Sequence, residues 1–596
     1  MKYYCNPINV NYRYQFNQDP RRGGALQICR EAADPSMILF KGKYYIFASM
    51  TLGVWFSDDL VHWENHRLPD VLPLYDYAPD VRVIGEYVYF CASNREHNCD
   101  RLRTKDILNG PYEKIEGSFP YWDPNLFLDD DGRVYFYWGC SNATPIWGVE
   151  LDTEIMLPKG EKIALVEGHP YEIGYERIGE DNSTLPADEA EVEAKYQAFV
   201  KSQAVPEENI PAELKPMIRG MFTNRPYIEG AWMDKHAGRY YLQYAAPGTQ
   251  YNTYSDGVYV ADSPLGPFKL AENSPYSYKP GGFLPGAGHG STMRDRKGNW
   301  WHVSTMRISV NHDFERRVGL WPAGFDKDGE LFCNQRYGDW PTAAEGDPWR
   351  APAWMLLSVG KAATASSFVP GHEPSKATEE NVRSWWRASS NSRDEWLCVD
   401  LGEVFDVHAV QVNFADDHID VPCPGEIRPG SQARYIDEAV RRTQWKLEGS
   451  ADGESWFIIE DKSDAGTDLS HDFIVREEGF KARYLRLSNM AVPFEQNLCV
   501  SGLRVFGLGH GEKPETPAFT ASRTGDLDMA VQIKAQANTL GYNILFGASP
   551  EKLYHSSMVF CAGSQRVGAL IKGREYFVRV DAFNENGITE GVCVKL

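Results

Sequence analysis

Five times between Asp34 and residue 335 the chain repeats one pattern: a glycine turn, a short run alternating aromatic and small residues, a second strand-like run, then a polar corner. GKYYIFASM (42–50) leads to VWFSDDLVHW (54–63), GEYVYFCASN (85–94) to LRTKDILNGPYEKI (102–115), and DGRVYFYWGC (131–140) to IWGVELD (146–152). GRYYLQYAAP (238–247) leads to GVYVADSPLGPFKL (257–270), and GNWWHVSTMR (298–307) to VGLWPAGFDKDGEL (318–331). Period-two alternation behind a Gly or Asp-Gly turn predicts strands. Recurrence at roughly 45–60 residues predicts propeller blades, and five is the simplest count. Two Gly-Pro-aromatic corners, Leu108 to Tyr112 and Leu265 to Phe268, are a second internal echo.

At 596 residues the chain exceeds what one hydrophobic core supports. The fold class is read as all-β: a five-bladed β-propeller over residues 1–350, then two β-sandwiches over 351–510 and 515–596. The first sandwich is read from ATASS (364–368), SWWRASSNSRDEWLCVDLG (384–402), WKLEGSADGESWFII (445–459) and RYLRL (483–487). The second follows a Pro-containing linker, GHGEKPETPAF (509–519), and alternates through YNILFGAS and REYFVRVDAF. A longer gap before the fourth repeat, 153–228, carries the charged, helix-prone run ADEAEVEAKYQAFVKSQ (187–203). It is read as a solvated decoration on one face, with a substrate lid as the alternative.

The 13% aromatic share, with 17 Trp and 32 Tyr, suits both β cores and sugar platforms. A net charge of −22 argues against nucleic acid and anionic membranes as partners. No stretch approaches a membrane span and the N-terminus lacks an apolar signal core. Eleven cysteines without CxxC pairs, Cys99 among them, read as reduced thiols, so the expected location is the cytoplasm.

Three carboxylates stand immediately before the first strand of their blades: Asp34 in REAADPSMILF, Asp123 in YWDPNLFLDDDG and Glu229 in RPYIEGAWM. Innermost propeller strands converge on the axis, so acids at equivalent positions meet in one pocket although far apart in sequence. A lone Asp-Pro is usually a turn. Two of them and a Glu-Gly, in register on repeated blades, point to a site.

The set DPS, WDPNLFLDDDGRVYF and IEGAW, with WFSDDLVHW in the first blade, resembles glycoside hydrolase family 43 over about residues 30–335. That family has a five-bladed propeller and includes β-xylosidases, α-L-arabinofuranosidases and arabinanases. The resemblance implies that Asp34 is the general base, Asp123 the carboxylate that orients and tunes the acid, and Glu229 the general acid. It implies hydrolysis with inversion, for which base and acid stand about 6.5–9.5 Å apart with water between. The base must be ionised, for which an open, polar setting is expected at Asp34. The acid must hold a proton, which a neighbouring carboxylate favours by repulsion.

The same resemblance offers His289 in GAGHGS as an axial residue that in several members helps hold a calcium ion through water; a hydrogen-bonded core histidine is the alternative. Arg316 in ERRVGLWP matches a segment reaching a sugar hydroxyl, and YAPD, with Tyr77 and Asp80, matches a pocket-wall motif. Trp55, Trp122 and Trp232 flank these motifs as candidate sugar platforms, at least one of them core. No cofactor is required for the chemistry; a structural calcium at the axis is the one metal implied. The insertion and the YNTYSDGVYV loop (251–260) depart from the commonest xylosidase pattern.

Segment 356–507 resembles a discoidin-type domain such as carbohydrate-binding module family 32, on framework residues rather than binding loops. Residues 518–596 resemble fibronectin type III weakly and are read as a spacer or packing domain. The expected function is an inverting exo-glycosidase releasing a terminal pentose from oligosaccharides, of β-xylosidase or α-L-arabinofuranosidase type. A β-galactosidase or β-galactofuranosidase shares every catalytic residue, because specificity lies in the pocket wall. A non-catalytic glycan-binding protein is the reading from another class.

Overall fold

The computed structural model describes residues 1–18, 24–74, 77–93, 100–115, 117–202, 207–212, 214–428 and 433–596; Asn94 and Cys99 lie outside the described residues. Five four-stranded antiparallel sheets follow one another, each from one stretch of chain. Blade 1 holds Ala33–Phe40, Lys43–Ser49, Gly53–Ser57 and Glu64–Arg67. Blade 2 holds Asp80–Ile84, Tyr87–Cys91, Arg101–Thr104 and Glu113–Ile115. Blade 3 holds Asn125–Leu128, Val134–Trp138, Ile146–Leu151 and Ile163–Val166. Blade 4 holds Glu229–His236, Arg239–Ala246, Ser255–Ala261 and Lys269–Leu270. Blade 5 holds Gly288–Arg294, Trp300–Arg307, Arg316–Phe325 and Leu331–Cys333.

The aromatic runs of the sequence are the second strands, and their two faces are buried in different places. Tyr44, Ile46 and Ala48 enter a core shared with Trp301, Val303 and Leu320 of blade 5. Tyr45 and Phe47 enter another, shared with Val88 and Phe90 of blade 2. A strand covered on both sides needs bulk on both, which accounts for the aromatic content. Among the described residues no strand is exchanged between the first and last blades. The segment Tyr4 to Tyr12 fills that seam instead: Ile8 N–H donates to Val318 O at 3.0 Å, and Asn6 Oδ1 accepts from Leu320 N–H at 2.9 Å.

At the axis each inner strand is entered through a left-handed residue: Asp34, Ala78, Asp123, Gly230 and His289, with φ of 51°, 52°, 53°, 62° and 51°. Two residues on, a side chain reaches the next blade. Ser36 Oγ accepts from Val81 N–H (3.1 Å), Asp80 Oδ2 from Leu126 N–H (2.7 Å), Asn125 Oδ1 from Met233 N–H (2.8 Å), and Ser291 Oγ from Met37 N–H (3.0 Å). In blade 4 that position is Trp232, which has no acceptor, and the Thr292 hydroxyl donates to Asp234 there instead.

The long gap is less of a decoration than expected. Ile163–Val166 is the fourth strand of blade 3. Gly174–Glu176 forms a buried turn pressed against the third body: Gly174 N–H donates to Leu570 O and Lys572 N–H to Glu172 O, both at 2.8 Å. Tyr175 OH meets Tyr244 OH and Ser274 Oγ at 2.7 Å. Only the later part is largely solvated, with helices α1 (Glu189–Ser202) and α2 (Leu214–Gly220) joined by ion pairs from Arg219 to Glu189 and Glu193.

The second body is an eight-stranded sheet assembly from Met355 to Leu508 around Trp386, Trp445 and Val410. One strand from this stretch, Arg434–Ile436, instead joins the N-terminal hairpin Arg13–Gln18 and Leu26–Glu31. In the third body a three-stranded sheet (Phe519–Gly525, Asp528–Ile533, Gly563–Val567) faces a second sheet led by Gly541–Gly547 and Phe577–Asn584. Its core residues Met529, Ile544 and Phe546 are continuous with Ile173, Tyr175 and Tyr244. The ten described cysteines are free thiols.

A Cβ on Gly174 would lie 2.4 Å from Gly568 O and 2.5 Å from Leu570 O, both backbone atoms that cannot move aside cheaply. Gly174→Ala is expected to cost about 1–3 kcal/mol in thermal unfolding. Gly160→Ala, with nothing within 4 Å of its Cβ, serves as the neutral control.

Candidate active site

The left-handed entry turns aim Asp34, Asp123 and His289 at one point on the axis. Non-glycine residues rarely adopt this conformation, and such strain gathers where function over-determines the backbone. Glu229 is offset by one residue: in blade 4 it is Gly230 that occupies the left-handed position. A side chain there would collide with the His289 ring, whose Cγ lies 2.8 Å from the position of a Gly230 Cβ. The glycine therefore lets the imidazole pack on backbone while Glu229 enters from the rim.

Asp34 is buried rather than open, so its setting differs from the expected one. Its polar surroundings come from protein: Ser49 Oγ donates to Oδ2 at 2.9 Å, Arg316 Nη1 to Oδ1 at 3.2 Å, and His289 Nδ1 lies 3.3 Å from Oδ1. These donors surround the carboxyl group in place of solvent. Arg316 also donates to Glu31 and, at 3.4 Å, to Thr249 Oγ1.

Asp123 Oδ2 accepts from Gly230 N–H at 3.2 Å and lies 3.7 Å from His289 Nδ1. Ligand atoms of Asp123, Cys140 and Glu229 all fall within 4.8 Å of one another. Burial pushes the Asp123 carboxyl up to about 7; Glu229 and Asp34 add to the rise, while His289 and the Gly230 N–H oppose it. At His289 burial opposes the imidazolium, but Asp34, Asp123, Glu229 and Asp256 outweigh it and raise the pKa. The His289 imidazole stands between Asp123 and Asp34.

Glu229 has two partners that the sequence reading missed. Tyr254 OH donates to Oε1 at 2.5 Å and Cys140 Sγ to Oε2 at 3.0 Å. Burial, reinforced by Glu229 and Asp34, holds the Tyr254 phenol well above its usual pKa, so it remains a donor. Tyr254 lies in the YNTYSDGVYV loop already noted as unusual. A signal for the others was present too: the aromatic runs end in small residues, Ser49, Ser93, Cys140 and Thr305. Ser93 Oγ and Thr305 Oγ1 accept the backbone N–H groups of Asp123 and Asp34, each at 2.9 Å.

The remaining sequence candidates separate. Tyr77 and half-buried Trp122 share an apolar cluster with Met50, Leu52 and Ala78 at the site's edge. Trp55 lies elsewhere: it is buried in the seam core, its indole N–H donating to Asn11 at 2.9 Å, which gives it a packing role. Trp232 is buried on the axis beneath Arg82, whose guanidinium lies 3.4 Å from a ring centroid. Asp80 is also axial, engaged by Asn125 Nδ2 (2.9 Å) and Leu126 N–H (2.7 Å), and burial pushes it up to about 6 against the pull of Arg82.

These contacts bear on the implied calcium. That ion takes six to eight oxygen ligands. Around His289 the facing oxygens of Asp34 and Asp123 are engaged by the imidazole itself, and the axis below carries the Arg82 guanidinium, which donates to Met233 O at 2.9 Å. The one metal-capable group among the described residues, Asp123, Cys140 and Glu229, includes a thiol, which suits softer ions. An ion beside His289 would therefore be held through water rather than by these side chains directly, as the resemblance implies.

Residues 28–178 and 195–331 match glycosyl hydrolases family 43, and residues 376–487 match the NedA-like, galactose-binding domain. A xylosidase/arabinosidase 43A of Humicola insolens is 28% identical over 341 residues, covering 50% of this chain and 95% of that one. A xylosidase/arabinosidase of Bacteroides ovatus is 26% identical over 269 residues, covering 40% and 75%. Among solved structures, a thermostable family 43 glycoside hydrolase is 20% identical at a TM-score of 0.40, covering 58% and 99%.

The raised Asp123 carboxyl makes the fold pH-sensitive in a defined direction. The native state binds a proton more tightly than the unfolded chain, so stability falls as pH rises from the ordinary 3.8 toward about 7. Asp123→Asn is expected to lose part of this dependence, gaining on the wild type by on the order of one to a few kcal/mol at pH 8 relative to pH 4. Melting curves at the two pH values check it; parallel curves for both proteins would refute the assignment.

Proposed function

We propose that this glycoside hydrolase, with its family 43 propeller and its discoidin-like, galactose-binding second body, is an inverting exo-enzyme releasing a terminal pentose, xylose or arabinose, from oligosaccharides. The observation that carries the reading is the meeting of Asp34, Asp123 and Glu229 around one imidazole at the propeller axis. The relatives named xylosidase/arabinosidase support the pentose.

In this reading Asp34, held as a carboxylate by Arg316, His289 and Ser49, takes a proton from the water that attacks the anomeric carbon. Glu229 gives its proton to the leaving oxygen. Asp123 orients the acid, and Tyr254 and Cys140 stabilise the carboxylate left after transfer. Arg316 has Nη1 shared with Asp34 and Thr249, and is assigned the contact to a sugar hydroxyl that the family resemblance implies. Trp122 and Tyr77 supply an apolar wall. The two C-terminal bodies are assigned to the carbohydrate-binding module family 32 and fibronectin type III types; the packing of a three-stranded on a five-stranded antiparallel sheet in the last body is compatible with the latter.

On nitrophenyl β-xyloside, α-arabinofuranoside, β-galactoside and β-galactofuranoside, one of the two pentosides is expected to be cleaved fastest. Glu229→Ala is expected to slow hydrolysis about 10²–10⁴-fold while ligand binding persists. Undiminished hydrolysis by that variant would remove Glu229 from the mechanism. Proton NMR during turnover is expected to show the inverted anomer first; initial release of the retained anomer would exclude direct displacement by water.

A further inference from the structure

The strand Arg434–Ile436 belongs in sequence to the second body, yet it pairs with the N-terminal hairpin, with Gln15 opposite Ile436 and Asn17 opposite Arg434. That placement brings a guanidinium from one body into the interior of another. Arg434 is buried, donates from Nη1 to Glu31 Oε2 at 2.8 Å, and lies 4.9 Å from the Tyr77 ring centroid. The other oxygen of Glu31 accepts from Arg316 Nη2, and Arg316 Nη1 donates to Asp34 Oδ1. Four buried charges thus alternate from the second body to the axis: Arg434, Glu31, Arg316, Asp34.

The alternation is neutral overall, as a buried set must be to avoid a large desolvation penalty. Glu31 is fully buried and divided between two guanidinium groups. Without Arg434, Glu31 has Arg316 as its one cationic partner in the set. That draws the fork of Arg316 toward Glu31 and away from Asp34, and leaves an uncompensated negative charge beside the site. Ile436 packs in the same cluster as Tyr77 and Ala78, so the strand fixes the edge of the pocket as well as its charge.

We propose that Arg434 is a positioning residue of the glycosidase site, acting through Glu31 on Arg316 and Asp34, so that the second body completes the active site as well as carrying its own domain. The proposal rests on the reading of Asp34 as base and Arg316 as sugar contact.

The test is a double-mutant cycle in the full-length chain on the nitrophenyl glycoside that the wild type cleaves best: Arg434→Met, Arg434→Lys, Glu31→Gln and the Glu31→Gln/Arg434→Met pair, with kcat, KM and melting temperature for each. Arg434→Met is expected to lower kcat at least about tenfold, and Arg434→Lys to recover part of the loss. The double variant should be no slower than Glu31→Gln alone, since Arg434 acts through that carboxylate. Wild-type kcat in Arg434→Met despite a lowered melting temperature would reduce the residue to packing, and multiplying losses would show that it does not act through Glu31. Either result overturns the proposal. Should Arg434→Met not fold, Glu31→Gln and Arg434→Lys form the same cycle. Glu229→Ala run alongside separates the two readings: its undiminished activity would fell the catalytic assignment, while the cycle still decides the coupling.

Discussion

The structure depends on one recurring bond, from a side chain two residues past each axial turn to a backbone N–H of the next blade. Inner strands of a propeller converge and cannot hydrogen-bond to one another as a sheet, so their axis-facing N–H groups need other partners. Ser36, Asp80, Asn125 and Ser291 supply them at four of the five junctions. The turn that places these acceptors is left-handed, and the residue within it is the one that points at the axis. Blade cohesion and the aim of the axial carboxylates are therefore set by the same three-residue segment, DPS in blade 1 and DPN in blade 3. Replacing the aspartates removes an axial carboxylate; replacing the residues two positions on removes a bond between blades.

Much of this was legible in the sequence because the pattern is local. The alternating runs mark second strands, since each face of such a strand must fill a different inter-blade core, and their recurrence fixes the number of blades. Asp34 and Asp123 follow from their turns. Glu229 was legible as an acid at a strand entry, though not its one-residue offset, which depends on the room that Gly230 leaves for His289. Tryptophans beside the motifs were ambiguous for a physical reason: in strands buried on both faces, an indole is as well suited to the seam, as Trp55 is, as to a sugar. What the sequence does not show is contact across long separations. The pairing of Glu31 with Arg434 spans 403 residues, and the docking of Gly174 on Leu570 has no local signature beyond the glycine itself.

Electrostatics explains how an acidic chain tolerates three carboxylates in one pocket. Cationic side chains are concentrated where the acids are: His289 between Asp34 and Asp123, Arg316 between Asp34 and Glu31, Arg82 beneath Asp80 and Asp234. Arg316 is buried, and His289 and Arg82 are partly buried, each set against carboxylates that offset the cost of removing its charge from water. The imidazole and the axial guanidinium are themselves held by the strands they stand on, so their placement is set by the fold.

The seam between blades 1 and 5 also sets a schedule. Ile8 finds its partner only when Val318 exists, and at about 5–20 residues per second a ribosome takes roughly 15–60 s to reach it. During that interval the first blade stands with one apolar face uncovered, Tyr44 and Ile46 among it. The nascent chain thus carries that uncovered face for a large part of its own synthesis, and ring closure, coming all at once, is the event that ends the exposure.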